Sequence, residues 1–121
     1  MASVFEATAG LAIGYTTGSS VTQLTNKGTG VTINAAAGAI TRNNAALAAG
    51  AEVKFAVTND KVTASDVVVV NHASAGTAGS YLVQANTLAA GSFAITVSNV
   101  SGGSLGEAIV LNYVVIKGAT S

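Results

Sequence analysis

The sequence predicts an all-β domain, an antiparallel two-sheet β-sandwich of about eight strands, and three observations lead to it. Strand-like segments begin near residues 20, 31, 39, 52, 66, 80, 92 and 107, with turn-forming residues between them. The chain has 14 glycines and no proline, so Gly, Asn and Ser form the turns. No segment has the apolar spacing of an amphipathic helix. Eight strands in two sheets is the number of a jelly roll, and an immunoglobulin-like sandwich differs by one strand.

The strongest strand signal is the run of four valines at residues 67–70, between Asp66 and Asn71. Valine is stiff at χ1 and fits a pleated strand better than a helix. An unbroken apolar run indicates that both faces of the strand lose water, so we expect a central strand that is covered on both sides. Asp66 and Asn71 would mark its ends. The alternative, a buried helix, is disfavoured by the β-branched run.

Two segments alternate clearly between apolar and polar residues, at 52–58 and 92–99. This period of two puts every second side chain on the core side of a strand. The valine run and the last strand supply the other apolar positions. The expected core is Val53, Phe55, Val57, Val67, Val69, Tyr81 or Leu82, Phe93, Ile95, Val97, Ile109, Leu111 and Val115.

These segments also belong to a possible internal repeat. The first unit runs from Leu47 to Asn71 and the second from Leu88 to Asn112, and 24 positions separate the two ends of each unit. Each unit reads as a turn, a half-buried strand, a loop with an acidic residue, and a buried strand. We interpret them as one unit used twice, and chance is the rival explanation for so short a pattern.

Residues 1–19 read as an N-terminal arm and residues 20–121 as the sandwich. The arm contains apolar residues that we do not expect in the core of its own domain, and it has glycines that let an extended chain bend. We expect it to become ordered against a neighbouring subunit, with Phe5, Leu11, Ile13 and Tyr15 as the assembly contacts. The alternative is an ordinary frayed terminus.

Composition favours a permanent assembly. Half of the 121 residues are apolar, only 8% are charged, and the formal net charge is zero. A typical soluble domain has about 25% charged residues and uses them to stay dispersed. The five scattered Lys and Arg residues make no basic patch, so nucleic acid is not expected as a partner. No membrane span, signal peptide or cysteine is present in this sequence, which suits a protein made in a cytosol.

The sequence offers few residues for catalysis or metal binding, and we expect neither an enzyme nor a cofactor. His72 is the only histidine, and its pairing with Asp66 fails because six residues of extended strand span roughly 20 Å. Paired carboxylate catalysis would need two of the acidic residues side by side, but Asp60 and Asp66 read as turn residues. Calcium binding near Asn59 and Asp60 lacks the spacing of a known calcium loop.

Three segments together resemble a family of small virion structural proteins of tailed bacteriophages and prophages. They are residues 20–34 (SVTQLTNKGTGVTIN), 66–71 (DVVVVN) and 111–118 (LNYVVIKG), and the resemblance runs from about Gly14 to Gly118. Related sequences occur as stand-alone proteins of this length and as modules of fibre or spike proteins. The resemblance implies a non-enzymatic β-sandwich that coats or projects from a virion, made in the cytoplasm of a bacterial host. No functional residue is carried over, because the shared motifs are strand and turn patterns.

The stand-alone length favours a capsid decoration (cement) protein that stabilises the head shell. Its partners would be the major capsid protein, or copies of itself in a homo-oligomer such as a trimer. The alternatives are a tail-fibre or tail-spike component, which would use the same module, and a carbohydrate-binding module. Exposed aromatic residues suited to stacking on sugars are scarce, since the chain has three tyrosines and no tryptophan.

Overall fold

The structure is a computed structural model that describes residues 18–118, and it is all-β. Sheet A has the order β1-β3-β8-β5 and sheet B the order β2-β4-β7-β6. The predicted two-sheet sandwich and its eight strands are therefore confirmed. In chain order the strands are β1 (Ser19–Thr22), β2 (Val31–Thr32), β3 (Ala37–Thr41), β4 (Glu52–Thr58), β5 (Val67–Ser74), β6 (Tyr81–Ala89), β7 (Ser92–Asn99) and β8 (Val110–Ile116).

The expectation of a wholly antiparallel sandwich is wrong, because both sheets are mixed. Strand β1 pairs with β3 in parallel, and β2 pairs with β4 in parallel, while the other strand pairs are antiparallel. The chain visits the opposite sheet between β1 and β3, and again between β2 and β4. Such a crossover returns the chain in the same direction, which parallel pairing requires. The jelly-roll arrangement is not confirmed by this strand order.

The two units of the proposed repeat pair with each other. Strand β4 of the first unit lies beside β7 of the second in sheet B, and β5 lies beside β8 in sheet A. Corresponding residues meet at the ends of the units, because Asn71 and Asn112 are cross-strand partners joined by a side-chain hydrogen bond of 2.6 Å. The two similar strand–loop–strand units thus supply the central pair of sheet B, and the inner strand β8 and the edge strand β5 of sheet A.

The core lies between the sheets, and most of the predicted core residues are in it. Phe55 and Phe93 lie 1% exposed on neighbouring strands of sheet B, and Tyr81 rather than Leu82 points inward. Val53 is half-buried. The cluster of buried apolar side chains is Val31, Ile33, Ile40, Phe55, Val57, Val62, Tyr81, Phe93, Ile95, Val97, Ile109, Leu111, Tyr113 and Val115.

The prediction that the valine run forms a central strand, buried on both sides, is wrong. Strand β5 is at the edge of sheet A and pairs only with β8. Val68 and Val70 pack against the core, but Val67 and Val69 point outward and are 56% and 46% exposed. Asn71 does not end the strand, which continues to Ser74. β-Branched residues reported the extended backbone correctly, but strand propensity alone does not say what covers each face.

Candidate functional site

The outer face of sheet A has an apolar patch at one end. Two cross-strand rows form it: Val67 lies beside Ile116, and Val69 lies beside Val114, which in turn lies beside Ala37. Ile116 is 46% exposed, like Val69. We call these five residues the apolar patch. At its border is a shallow depression of about 300 Å³, lined by Ala37, Gly38, Val69, Asn71, Asn112, Tyr113 and Val114.

Within the described residues, the outward-facing positions on the four strands of sheet A carry no ionisable side chain. Beyond the apolar patch, the next row is formed by Asn71, Asn112, Ala39 and Ser20. The amide of Asn71 donates to Oδ1 of Asn112, so this row is polar but neutral. Contacts on this face would therefore involve apolar burial and neutral hydrogen bonds.

The outer face of sheet B is more polar. Glu52 and Lys54 face outward on β4, and Lys54 Nζ donates to Thr87 Oγ1 at 2.8 Å. A second shallow depression, of about 280 Å³, lies between β6 and β7 and is lined by Leu82, Val83, Gln84, Thr96 and Ser98. The two outer faces thus differ in charge, and only that of sheet A combines an apolar cluster with complete neutrality along its strands.

Asp66 ties the end of β8 to the start of the neighbouring strand β5. Its buried carboxylate accepts from Lys117 Nζ at 2.6 Å, from the backbone N–H of Gly118 at 3.0 Å and from that of Thr63 at 2.8 Å. The bond from Lys117, followed by the one from Gly118, holds the pKa of Asp66 well below its usual range. Asp66 therefore anchors the end of β8 to the start of β5.

Glu107 fixes the loop that follows β5. Tyr81 Oη donates to Glu107 Oε1 at 2.7 Å, and the backbone N–H and hydroxyl of Thr77 donate to the same carboxylate at 3.0 Å and 2.8 Å. The bond from Tyr81, followed by the backbone bond from Thr77, lowers the pKa of Glu107. Burial, with the bond to Glu107, raises the pKa of Tyr81 to about 12. The hydrogen bond therefore favours the ionised carboxylate of Glu107 and the protonated phenol of Tyr81.

His72 belongs to this same corner and not to Asp66. Its ring makes a perpendicular contact with the ring of Tyr81, with centroids 5.5 Å apart. Its Nε2 lies 2.6 Å from the carbonyl oxygen of Ala75 and 3.1 Å from that of Ser74. Since carbonyl oxygens only accept, the Nε2 nitrogen donates to them. The histidine thereby supports a tight turn in which Ala75 has a positive φ of 61°.

Two cations are buried at this same end of the sandwich. Lys27 is 4% exposed, and its Nζ donates to the carbonyl oxygens of Glu107 at 2.9 Å and Asn43 at 2.5 Å. Arg42 is 1% exposed, and its guanidinium lies 5.4 Å from the centre of the Phe55 ring. Burial, and then the neighbouring Arg42, lower the pKa of Lys27 to about 8. Burial lowers the pKa of Arg42 to about 10.

Arg42 is only partly satisfied by its surroundings. Its Nη2 donates to the carbonyl oxygen of Lys27 at 3.0 Å, and Gln23 Nε2 donates to that oxygen at 2.9 Å. Among the described residues, Arg42 Nε and Nη1 have no acceptor. A buried guanidinium with unmet donors is costly, since its charge has lost water without full compensation. The polar groups at this end therefore hold loops in place, at some expense of stability.

The assembly contacts predicted from the sequence belong to the N-terminal arm, and the buried network around Lys27 and Arg42 was not predicted. Phe5, Leu11, Ile13 and Tyr15 all lie outside the described residues, so the arm contacts stay a prediction. One signal for the buried Arg42 was present: Ile40 points inward on β3, and a period of two places the side chain of Arg42 on the same side. No comparable pattern marks Lys27, whose Nζ reaches the carbonyl oxygens of Asn43 and Glu107 in distant segments.

Most charges of the described chain are therefore used inside the fold. Nine of the ten charged residues lie within residues 18–118, the other being Glu6. Lys27, Arg42 and Asp66 are buried, Lys117 binds Asp66, and Glu107 binds Tyr81 and Thr77. The four that remain for the exterior are Glu52, Lys54, Asp60 and Lys61. The last two form an exposed pair at 3.7 Å, and the side chain of Lys117 is itself 57% exposed. The described exterior therefore carries few charges, and they nearly balance.

No cluster of three or more His, Cys, Asp or Glu side chains that could hold a metal ion is found among residues 18–118. The same range contains no helix long and apolar enough to cross a membrane. Comparison with known proteins gives no family: no family model, no curated protein and no solved structure matches the chain.

Proposed function

We propose that this protein is a non-enzymatic structural component of a bacteriophage virion, present in many copies, and that it decorates and stabilises the head shell. The proposal joins the resemblance of its strand and turn motifs to virion proteins with the character of its surface. Its partners are the major capsid protein and copies of itself, and it is made in the cytoplasm of the bacterial host.

The observation that carries this proposal is the use of charge. Five of the nine charged residues in the described chain are buried or bonded within the fold, and the remaining four leave one sheet face without any ionisable side chain. A domain that works alone in solution usually keeps charges on its surface to remain dispersed. A domain that is covered by neighbours over much of its surface does not need them. The nearly neutral exterior therefore favours assembly in many copies.

The nature of the contacts follows from the same observation. A nearly neutral exterior can bind through apolar burial, backbone hydrogen bonds and neutral side chains such as Asn71 and Asn112. Such contacts suit a shell of repeated subunits, because every copy presents the same surface at the same spacing.

Quantitative mass spectrometry of purified virions from the phage or prophage that encodes the chain tests the proposal. Hundreds of copies per particle are expected for a head decoration protein. A handful of copies would instead assign the chain to a tail fibre or spike. Its absence from particles that are complete and infectious would refute a virion role. A gene deletion provides the control, and particles without the protein should lose DNA at a lower temperature than the parent.

A further inference from the structure

The apolar patch on sheet A is small, and its size limits what can cover it. Three strands at a spacing of about 4.8 Å and two rows of side chains give a footprint of roughly 200 Å². A stable contact between two proteins needs about 800 Å² on each partner. The apolar patch alone is therefore too small to hold two copies face to face, but it matches the width of one extended segment.

The chain reaches sheet A at the same end as the apolar patch. Ser19 is the partner of Gly38 in the parallel β1–β3 pair, so Gly18 lies next to Ala37, a member of the apolar patch. The approach is close: a Cβ at Gly18 would lie 2.9 Å from the carbonyl oxygen of Ala37. Residues 1–17 are thus tethered to the domain beside the patch.

The sequence immediately before this point has a suitable pattern. Leu11, Ile13 and Tyr15 occur at every second position, and residues 7–17 contain no side chain that is charged at pH 7. In an extended segment, alternate side chains point to the same side. Residues 11–15 would therefore present three large apolar side chains on one side, as uncharged as the sheet face they would meet.

The distance from Gly18 is also short enough. Three strand spacings separate β1 from β5, about 14 Å in all, and five extended residues span about 16 Å. Ile13 lies five residues before Gly18 and can therefore reach Val69. A segment tethered this closely has an effective concentration in the millimolar range, which favours binding to its own domain over binding to another copy.

We propose that residues 11–15 bind as an extended segment across the outer face of sheet A of their own chain, with Leu11, Ile13 and Tyr15 on the apolar patch. This assigns different tasks to the two halves of the N-terminal arm. Residues 11–15 complete the domain, while Val4 and Phe5, farther from the tether, are left for contacts with neighbouring subunits. The first task concerns the isolated protein and does not depend on a role in a virion.

Cross-linking between two introduced cysteines tests the proposal, because the natural chain has no cysteine. The full chain with Ile13→Cys and Val69→Cys is treated at low concentration with a short bis-maleimide. The control keeps the same pair of cysteines and adds Leu11→Ser and Tyr15→Ser, so the tether and the distance to Val69 are unchanged while the apolar side chains are lost. Intact mass and denaturing electrophoresis separate a link within one chain from a link between chains.

The expected result is a monomer linked within one chain, formed at least tenfold faster with the natural Leu11 and Tyr15 than with the two serines. Equal rates for the two arms would overturn the proposal, since the apolar side chains would then not hold the segment on the patch. Dimers linked through the Val69 pair would overturn the assignment to the same chain and give the patch to a second copy. The parent chain and both variants must share the same far-ultraviolet circular dichroism and thermal midpoint within a few degrees, which excludes misfolding as the cause.

Discussion

Replacing Arg42 by methionine should leave the domain about as stable as the parent protein, although it removes a buried charge. Arg42 is 1% exposed, and two of its donor nitrogens, Nε and Nη1, have no acceptor among residues 18–118. Methionine keeps an unbranched stem of similar length over Phe55 but carries no charge into the core. The substitution therefore removes an uncompensated buried charge without opening a large cavity.

The expected change is the difference between opposing effects. Replacing a buried, poorly compensated charge by an apolar side chain of similar volume stabilises a protein by about 1–4 kcal/mol. Against this, the bond from Nη2 to Lys27 contributes about 1 kcal/mol, and the contact of the cation with the Phe55 ring about 1 kcal/mol. The Lys27 carbonyl keeps its bond from Gln23, so no buried acceptor is left unpaired. The net change should therefore lie between a loss of about 1 kcal/mol and a gain of about 2 kcal/mol.

Urea unfolding at pH 7 measures this change, with Arg42→Ala as the matched control. The alanine variant loses the stem as well as the charge, and the cavity should cost it about 2–4 kcal/mol. The two variants should therefore differ clearly although both remove the same charge. A loss of 3 kcal/mol or more in the methionine variant would refute the reasoning, because that is the cost of breaking a well-compensated buried pair.

Three further predictions follow from the described contacts. Phe93→Ala should cost about 3–5 kcal/mol in urea unfolding, whereas Leu82→Ala, at a side chain 65% exposed, should change stability by less than about 0.5 kcal/mol. Similar losses in the two variants would show that the core has been assigned to the wrong side chains. The pKa of Lys27 is about 8 in the folded chain and 10.5 ordinarily, so between these two pH values the unfolded chain binds more protons than the folded chain. The free energy of unfolding should therefore rise from pH 8 to pH 10, and Lys27→Met should abolish that rise. The lowered pKa of Asp66 gives a pH dependence of the same sign at the acid end of the range. The stability that Asp66 contributes is present above its ordinary pKa of 3.8 and is lost as the pH falls below that value, and an unchanged acid unfolding profile in Asp66→Asn would contradict the anchor to Lys117.

The strands and much of the core could be predicted from the sequence, because both depend on local patterns. The alternation in residues 52–58 and 92–99 places Phe55, Val57, Phe93, Ile95 and Val97 inward, and all five are buried. The β-branched run at 67–70 reports an extended backbone in the same way. The apolar period and the side-chain shape both act within a few residues, so their structural meaning can be read from the sequence without knowledge of the rest of the fold.

Features that depend on which strands become neighbours could not be predicted in this way. Val67 and Val69 are exposed because they lie on the outer face of sheet A, and the parallel pairs of β1 and β2 follow from crossovers between the sheets. The burial of Lys27 is a further example, since a lysine between turn residues normally lies in water. The proposed contacts of the N-terminal arm rest on two observations. They are the alternation of apolar side chains in residues 11–15 and the position of Gly18 beside Ala37.

The salt dependence of occupancy on the particle tests the central claim, that a nearly uncharged exterior assembles through apolar and neutral contacts. Purified virions are held at salt concentrations from 0.05 M to about 1 M, and the protein that remains bound is measured after sedimentation. Screening weakens contacts between charges and leaves apolar burial intact, so occupancy should change little over this range. A steep loss of the protein by about 0.5 M salt would show that ion pairs hold it and would contradict the account.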